Sequence, residues 1–178
     1  MTQPGGMERR RDREGLITGY VFKLVRESVR LTQEKLAEAL GVDPHTVQGW
    51  ESSRRPLTAA SAGTFAQLRR QLRALGAEPE MLDALSTAVD ADYLLTYALG
   101  MDPAGSSSSR HPLARWVLPR ETSEMLAWAV NGDAPERVRS QAASARRRGP
   151  VAEGPVLAPA ERLTFIEHFR ATAERSLQ

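Results

Sequence analysis

Apolar residues recur three and four positions apart through most of the chain, the spacing that places them on one face of an α-helix. No stretch alternates apolar and polar residues, and no hairpin turn joins two β-rich runs. The pattern therefore predicts an all-α fold. Its first run, at residues 14–30, predicts an amphipathic helix whose apolar positions are Ile17, Val21, Leu24 and Val25.

Two short helices joined by a tight turn are predicted within residues 31–51. Thr32 and Asp43 are residue types that cap helix N-termini, and each stands just ahead of a run with helical spacing. Gly41 suits the left-handed conformation of a helix-ending turn, and Pro44 fits the first turn of the second helix. The faces expected to pack on each other are Leu36, Ala37 and Leu40 on the first helix, and Val47 and Trp50 on the second.

Two further helices are predicted before residue 100. The fourth starts near Thr58 and stops at Gly76, and the fifth runs from residue 79 or 80 to residue 99. The apolar arc of the fifth helix includes Tyr93 and is too broad for one contact, so the helix should have two packing partners. One is the bundle that precedes it, and the other is the C-terminal region or a second subunit. Asp90 and Asp92 are expected on its surface.

Residues 101–112 contain Pro, Gly and four consecutive serines, a composition typical of a flexible linker. They are predicted to separate a domain at residues 14–100, preceded by a flexible tail at residues 1–13, from a C-terminal helical region at residues 113–178. In that region one helix is predicted to start at Thr122 or Ser123 and another at Pro135. The residues of the last helix expected to face inward are Leu163, Phe165, Ile166, Phe169 and Ala173.

The segment at residues 31–56 resembles Cro/repressor-type, or XRE-like, helix-turn-helix DNA-binding regulators, and the resemblance extends over about residues 14–76. The residues that carry it are Leu31-Thr32-Gln33, Leu36-Ala37, Gly41-Val42, Val47, Trp50-Glu51 and Arg54-Arg55-Pro56. The resemblance implies an N-terminal helix-turn-helix bundle of four or five helices whose third helix enters the DNA major groove.

By position in that motif, the base-reading residues would be Pro44, His45, Gln48 and Gly49, flanked by Asp43 and Thr46, while Val47 and Trp50 point inward. Gln48 can present a donor and an acceptor to adenine, and His45 can donate to guanine or contact a phosphate. Gly49 is expected to leave room for close approach to the DNA.

Contacts to the DNA backbone are expected from two other places. Thr32 and Gln33 begin the second helix, where backbone N–H groups can hold a phosphate, although Thr32 could equally serve as a helix cap. Arg54 and Arg55 follow the third helix and are expected to contact phosphates. The alternative for both arginines is an ordinary solvated charge.

Composition limits the chemistry without identifying it. The net charge of +2 is modest, so affinity for DNA must come from cations gathered on one face. Arginine outnumbers lysine 22 to 2, which GC-rich codons would explain, so the arginine count is weak support. The chain has no cysteine and only three widely spaced histidines, so neither a metal nor another cofactor is expected. No apolar run is long enough to span a membrane, and we expect a cytoplasmic protein with no membrane partner.

These observations favour a sequence-specific DNA-binding transcription regulator that acts as a homodimer on double-stranded DNA. The C-terminal region would provide dimerisation, sensing of a small-molecule effector, or binding of a protein partner. The surfaces available for pairing are the fifth helix and the aromatic residues Trp116, Trp128, Phe165 and Phe169. The alternative is a protein-interaction module, antitoxin-like or adaptor, whose C-terminal helices bind a partner. An enzyme is not expected, because the sequence has no Gly-rich phosphate loop, nucleophile–base pair or metal-ligand set.

Overall fold

The computed structural model describes residues 14–100, 118–146 and 154–176, and within these ranges the fold is entirely helical, which confirms the predicted class. The tail at residues 1–13, the linker at residues 101–112 and Trp116 lie outside the described residues. None of the described helices is both long and apolar enough to cross a membrane. The α-helices are α1 Leu16–Ser28, α2 Gln33–Leu40, α3 Pro44–Glu51, α4 Ala62–Ala74, α5 Pro79–Gly100, α6 Arg120–Asn131, α7 Glu136–Arg146 and α8 Pro159–Ser176, and a 3-10 turn spans Leu57–Ala59.

Helix α1 lies in the middle of the molecule, against α3, α5 and α7. Every residue from Ile17 to Phe22 is buried, so the helix is covered on nearly all sides. The amphipathic pattern had predicted burial along one stripe only. The sequence does carry the signal, because its first seven residues, LITGYVF, include no charge. A helix that is apolar all round is a buried helix.

Helix α5 has the two sets of partners that its broad apolar arc predicted. It packs on α1, α4 and the 3-10 turn, and also on α6, α7 and α8 from the C-terminal region. Tyr93, however, was expected within the arc and is 55% exposed. Its ring lies outside the core because its hydroxyl donates a hydrogen bond to the carbonyl oxygen of Thr58, 2.5 Å away.

The C-terminal helices share one hydrophobic core with the N-terminal bundle. Trp128 of α6 is fully buried, and its ring meets that of Tyr20 of α1 edge-on, with centroids 5.5 Å apart. Leu157, ahead of α8, donates its N–H to the carbonyl oxygen of Ala129, 2.8 Å away. The C-terminal region is thus one of the two packing partners that the apolar arc of α5 predicted, and neither region buries its apolar surface alone.

Helix α8 corrects a second prediction. Phe165 is buried and His168 hydrogen-bonds the carbonyl oxygen of Ala98, but three other residues expected to face inward are exposed, and the side chain of Ala173 lies outside what the structure describes. Leu163, Ile166 and Phe169 are 63%, 49% and 46% exposed, and we call this set the apolar face of α8. Leu163 and Ile166 lie away from the core, while Phe169, one turn after the buried Phe165, stacks on its ring with the centroids 6.3 Å apart.

Two helices begin elsewhere than their composition suggested. Residues 57–59 form the 3-10 turn, and α4 begins at Ala62, because the hydroxyl of Ser61 accepts the N–H of Thr64 at 3.1 Å and caps the helix. Helix α6 begins at Arg120, directly after Pro119 and two or three residues earlier than predicted. Both differences are about one helical turn or less.

Asp92 was expected on the surface of α5, and it is fully buried. Its Oδ1 accepts the backbone N–H of Ile17 at 3.1 Å, and its Oδ2 accepts that of Thr18 at 2.7 Å. The N-cap residue of α1 is Gly15, which has no side chain to satisfy these groups, so a carboxylate from α5 does so across the bundle. Burial raises the pKa of Asp92 to about 6, although the hydrogen bonds from Thr18 and Ile17 oppose the rise.

A pH-dependent stability follows from Asp92. Its pKa in the folded state, about 6, exceeds the ordinary value of 3.8, so folding favours its protonated form. The resulting stabilisation is present below about pH 4 and is lost as the pH rises to about 6; it is on the order of 3 kcal/mol. We expect the free energy of unfolding of the wild type, measured relative to that of Asp92→Asn, to fall across this window and to level off near pH 7. Parallel curves for the two proteins would contradict this role of Asp92.

Candidate nucleic-acid interface

Helices α2 and α3 form the predicted helical pair with the predicted caps. The hydroxyl of Thr32 accepts the N–H of Lys35 at 3.2 Å, and the carboxylate of Asp43 accepts that of His45 at 2.7 Å. Gly41 ends α2 in the left-handed region, at φ 68°, which turns the chain directly into α3. The two helices pack through residues that are fully or almost fully buried: Leu36, Ala37, Leu40 and Val47.

One face of α3 stays clear of the core. Pro44, His45 and Gln48 are exposed, Thr46 is half-buried, and Asp43 is exposed at the helix start. The structure therefore brings five of the six residues predicted at the reading face to one surface. Their contact with DNA stays a prediction.

Gly49 is the exception, because it is buried. It was expected to leave open space at the DNA-facing surface, but a Cβ added there would lie 3.2 Å from the Cβ of Arg55. The side chain of Arg55 covers this position, so Gly49 offers no surface of its own.

Arg54 and Arg55 are both exposed, and they point to different neighbours. The Nε of Arg54 donates to the hydroxyl oxygen of Ser52, 3.1 Å away, just past the end of α3. A guanidinium nitrogen of Arg55 donates to the hydroxyl oxygen of Thr46, 3.4 Å away, in the first turn of α3. The two arginines therefore place their charges at opposite ends of the helix.

The start of α2 faces a groove of about 520 Å³ that α1 and the α1–α2 connection also line. Thr32 is exposed there, but the side-chain amide of Gln33 donates to Glu51 at 2.6 Å, so only part of that amide is available to a phosphate. Glu34 brings a negative charge to the same groove, and its pKa lies below the ordinary value, chiefly because of its backbone N–H and then because of the Thr32 hydroxyl. Thr32 thus acts as a cap and also lines the groove.

An ion pair between Arg26 of α1 and Glu51 of α3 lies behind the exposed face of α3, and the sequence did not predict it. The Nε of Arg26 lies 2.5 Å from one carboxylate oxygen of Glu51, and a second guanidinium nitrogen lies 3.3 Å from the other. The third nitrogen donates to the carbonyl oxygen of Leu31 at 2.8 Å. The two side chains are only 11% and 7% exposed. The signal in the sequence was a lone arginine within the buried run of α1.

The last turn of α3 lies directly against the backbone of α1. A Cβ at Gly19 would lie 2.7 Å from the carbonyl oxygen of Trp50 and 2.9 Å from that of Glu51, so only glycine fits. Trp50 is half-buried, and its ring lies edge-on to that of Phe22, with the centroids 5.5 Å apart. Its spacing had predicted a side chain that points fully inward. The end of α3 is therefore fixed by close backbone packing.

Comparison with known proteins agrees with this geometry. A family model described as a helix-turn-helix domain matches residues 19–85, which include all of α2 and α3. No curated protein and no solved structure matches the chain. The match confirms a helix-turn-helix domain at the place that the motif indicated, and it is consistent with an XRE-like segment. A domain of this kind indicates DNA binding and a regulatory role.

The Arg26–Glu51 ion pair yields a test of how α3 is held. Glu51→Ala should leave the buried Arg26 charge with only the more distant carboxylate of Glu27, 3.7 Å away, and it should lower the free energy of unfolding in urea by about 3–5 kcal/mol. The double variant Arg26→Leu/Glu51→Leu removes both charges and should lose less than this single variant. A double variant that is less stable than Glu51→Ala would show that the Arg26 contact to Leu31 matters more than the ion pair.

Proposed function

We propose that the protein is a sequence-specific DNA-binding transcription regulator that places α3 in the major groove of double-stranded DNA and acts as a homodimer. The observation that carries the proposal is the division of α3 into two faces. Val47 is fully buried against α2, while His45 and Gln48 are exposed. A helix held from behind with polar side chains in front is suited to contact base edges.

The charges around α3 support binding to a phosphate backbone. The net charge of +2 gives little general attraction, so local cations must supply it. Arg54 is exposed immediately after α3, where its Nε donates to the Ser52 hydroxyl, and the first-turn N–H groups of α2 lie at the neighbouring groove. Backbone contacts on both sides of α3 would fix its register in the groove.

Dimerisation is proposed through the apolar face of α8. Of the surfaces considered from the sequence, Trp128 and Phe165 are buried, and the apolar arc of α5 is covered by α6, α7 and α8. Leu163, Ile166 and Phe169 are the apolar residues of the C-terminal helices that are both large and well exposed in the described ranges. One helix-turn-helix domain offers DNA an interface of about 1,000 Å² or less, which alone gives weak binding. Pairing two such domains on two half-sites would raise the affinity.

The same face suits the second candidate function, an antitoxin-like or adaptor module that binds another protein. The observation that favours it is the exposure of three large apolar side chains on one helix. In that case the occupant of the face is a partner protein and the chain itself is a monomer. The mass of the protein in solution distinguishes the two candidates.

Binding to DNA is tested with duplexes that the purified protein selects from genomic DNA. We expect the affinity to fall tenfold or more between about 50 and 200 mM salt, because phosphate contacts release counterions. Arg54→Ala should weaken all duplexes alike and reduce the salt slope by about 1. Gln48→Ala should instead flatten the preference at one base pair by about 1–3 kcal/mol.

Fluorescence anisotropy on selected and scrambled duplexes measures both effects. The control is Arg73→Ala, an exposed cation in the last turn of α4 and outside the surfaces assigned to DNA, which should leave both affinity and preference unchanged. Equal and uniform losses from Gln48→Ala and Arg54→Ala would rule out the assignment of separate reading and backbone roles.

Dimerisation is tested with Ile166→Glu and Phe169→Glu. Each places a charge in the apolar face of α8, so we expect the variant to be a monomer by light scattering and to bind a full operator no better than a half-site. Ala127→Glu, at an exposed position of α6, is the matched control and should stay dimeric. A wild type that is monomeric at operator-saturating concentrations would instead favour the partner-binding module.

A further inference from the structure

The burial of Gly49 needs an explanation, because its position in α3 points away from the core. Successive residues of an α-helix are rotated by about 100°, so Gly49 lies about 200° around the helix from the buried Val47. That direction is the middle of the exposed face, between His45 and Thr46. Gly49 is nevertheless buried, and the atoms that cover it belong to Arg55.

The side chain of Arg55 lies on the outer surface of α3 and extends from Gly49 to Thr46. Its N–H donates to the carbonyl oxygen of Gly49 at 3.0 Å, which anchors its backbone at the end of the helix. The Cβ, Cγ and Cδ of its side chain lie 3.2, 3.4 and 3.4 Å from where a Gly49 Cβ would stand. Its guanidinium then reaches the hydroxyl of Thr46, one turn back along the helix. Since Gly49 has no side chain, the stem of Arg55 occupies the space that one would fill.

From this geometry we infer that Arg55 is a base-reading residue, specific for guanine, and not a phosphate contact. The inference rests on the proposed function, since it requires α3 to enter the major groove. The guanidinium presents a planar pair of N–H donors that matches the O6 and N7 acceptors of guanine. Its stem is already ordered over Gly49 and its head is held at Thr46, so little side-chain entropy is lost on binding.

Arg54 provides the contrast within the same dipeptide. Its head bonds Ser52 beyond the last turn of α3 and has no contact with the middle of the exposed face. It carries the same charge as Arg55, lies one residue away and is also exposed. Any difference between matched substitutions of the two therefore comes from position and not from charge.

The experiment uses the full chain and compares Arg55→Lys, Arg55→Ala and Gly49→Ala with Arg54→Lys and Arg54→Ala. Each variant selects duplexes from a randomised pool, and its affinity for the preferred and for a scrambled duplex is measured across salt concentrations. We expect Arg55→Lys to keep the salt slope and to lower the ratio of preferred to scrambled affinity about tenfold or more, with loss of preference at one guanine. Arg54→Lys should leave the selected sequence unchanged.

Gly49→Ala is the second test, because it changes no charge. The added methyl group would meet the stem of Arg55 at 3.2 Å, closer than ordinary contact, and should displace the guanidinium. We expect the same guanine preference to weaken while the salt slope is kept. Thermal melting establishes whether each variant is folded. If Gly49→Ala does not fold, Arg55→Lys alone provides the test of guanine preference.

Other outcomes overturn the inference in distinguishable ways. If Arg55→Ala reduces the salt slope by about 1 and weakens all duplexes alike, while Arg55→Lys restores both, then Arg55 contacts phosphate and the proposed function still stands. If the wild type itself shows no preference among duplexes, the proposed function fails, and the role of Arg55 fails with it.

Discussion

The position of α3 depends on how closely its last turn approaches α1. At Gly19 the two backbones pack without an intervening side chain, against the carbonyl oxygens of Trp50 and Glu51. Two turns further along α1, Arg26 binds the side chain of Glu51. At the opposite end of α1, the hydroxyl of Ser53 donates to the carbonyl oxygen of the N-cap residue Gly15 at 2.8 Å. All three contacts hold the C-terminal end of α3, which leaves the exposed face of the helix free.

Helix α1 is in turn supported from both sides of the molecule. Asp92 of α5 satisfies the N–H groups of its first turn, and Trp128 of α6 packs on Tyr20 in its middle. Because protein cores are close-packed, a change in the C-terminal helices reaches α3 through a single intervening helix. Within the described residues, this arrangement connects the C-terminal region to α3 through α1.

The sequence predicted what depends on neighbouring residues and missed what depends on distant ones. The caps at Thr32 and Asp43 and the turn at Gly41 follow from local rules, and they are as predicted. Asp92 was missed because the N–H groups that it accepts lie some 75 residues away in the chain. The cover that Arg55 provides over Gly49 depends on the path of the chain after α3, which periodicity does not describe. The exposure of Leu163 was missed because the spacing of apolar residues in α8 does not indicate which side meets α5.

The limits of the matched family segment fall inside helices and not between them. Residue 19 is in the second turn of α1, and residue 85 is in the second turn of α5, with about four turns of α5 still to follow. Asp92 lies in that remainder. A module transplanted at residues 19–85 would therefore lose both the first turn of α1 and the carboxylate that caps it. Recombination between relatives of this protein should preserve function only when α5 and the C-terminal helices are inherited together with α2 and α3.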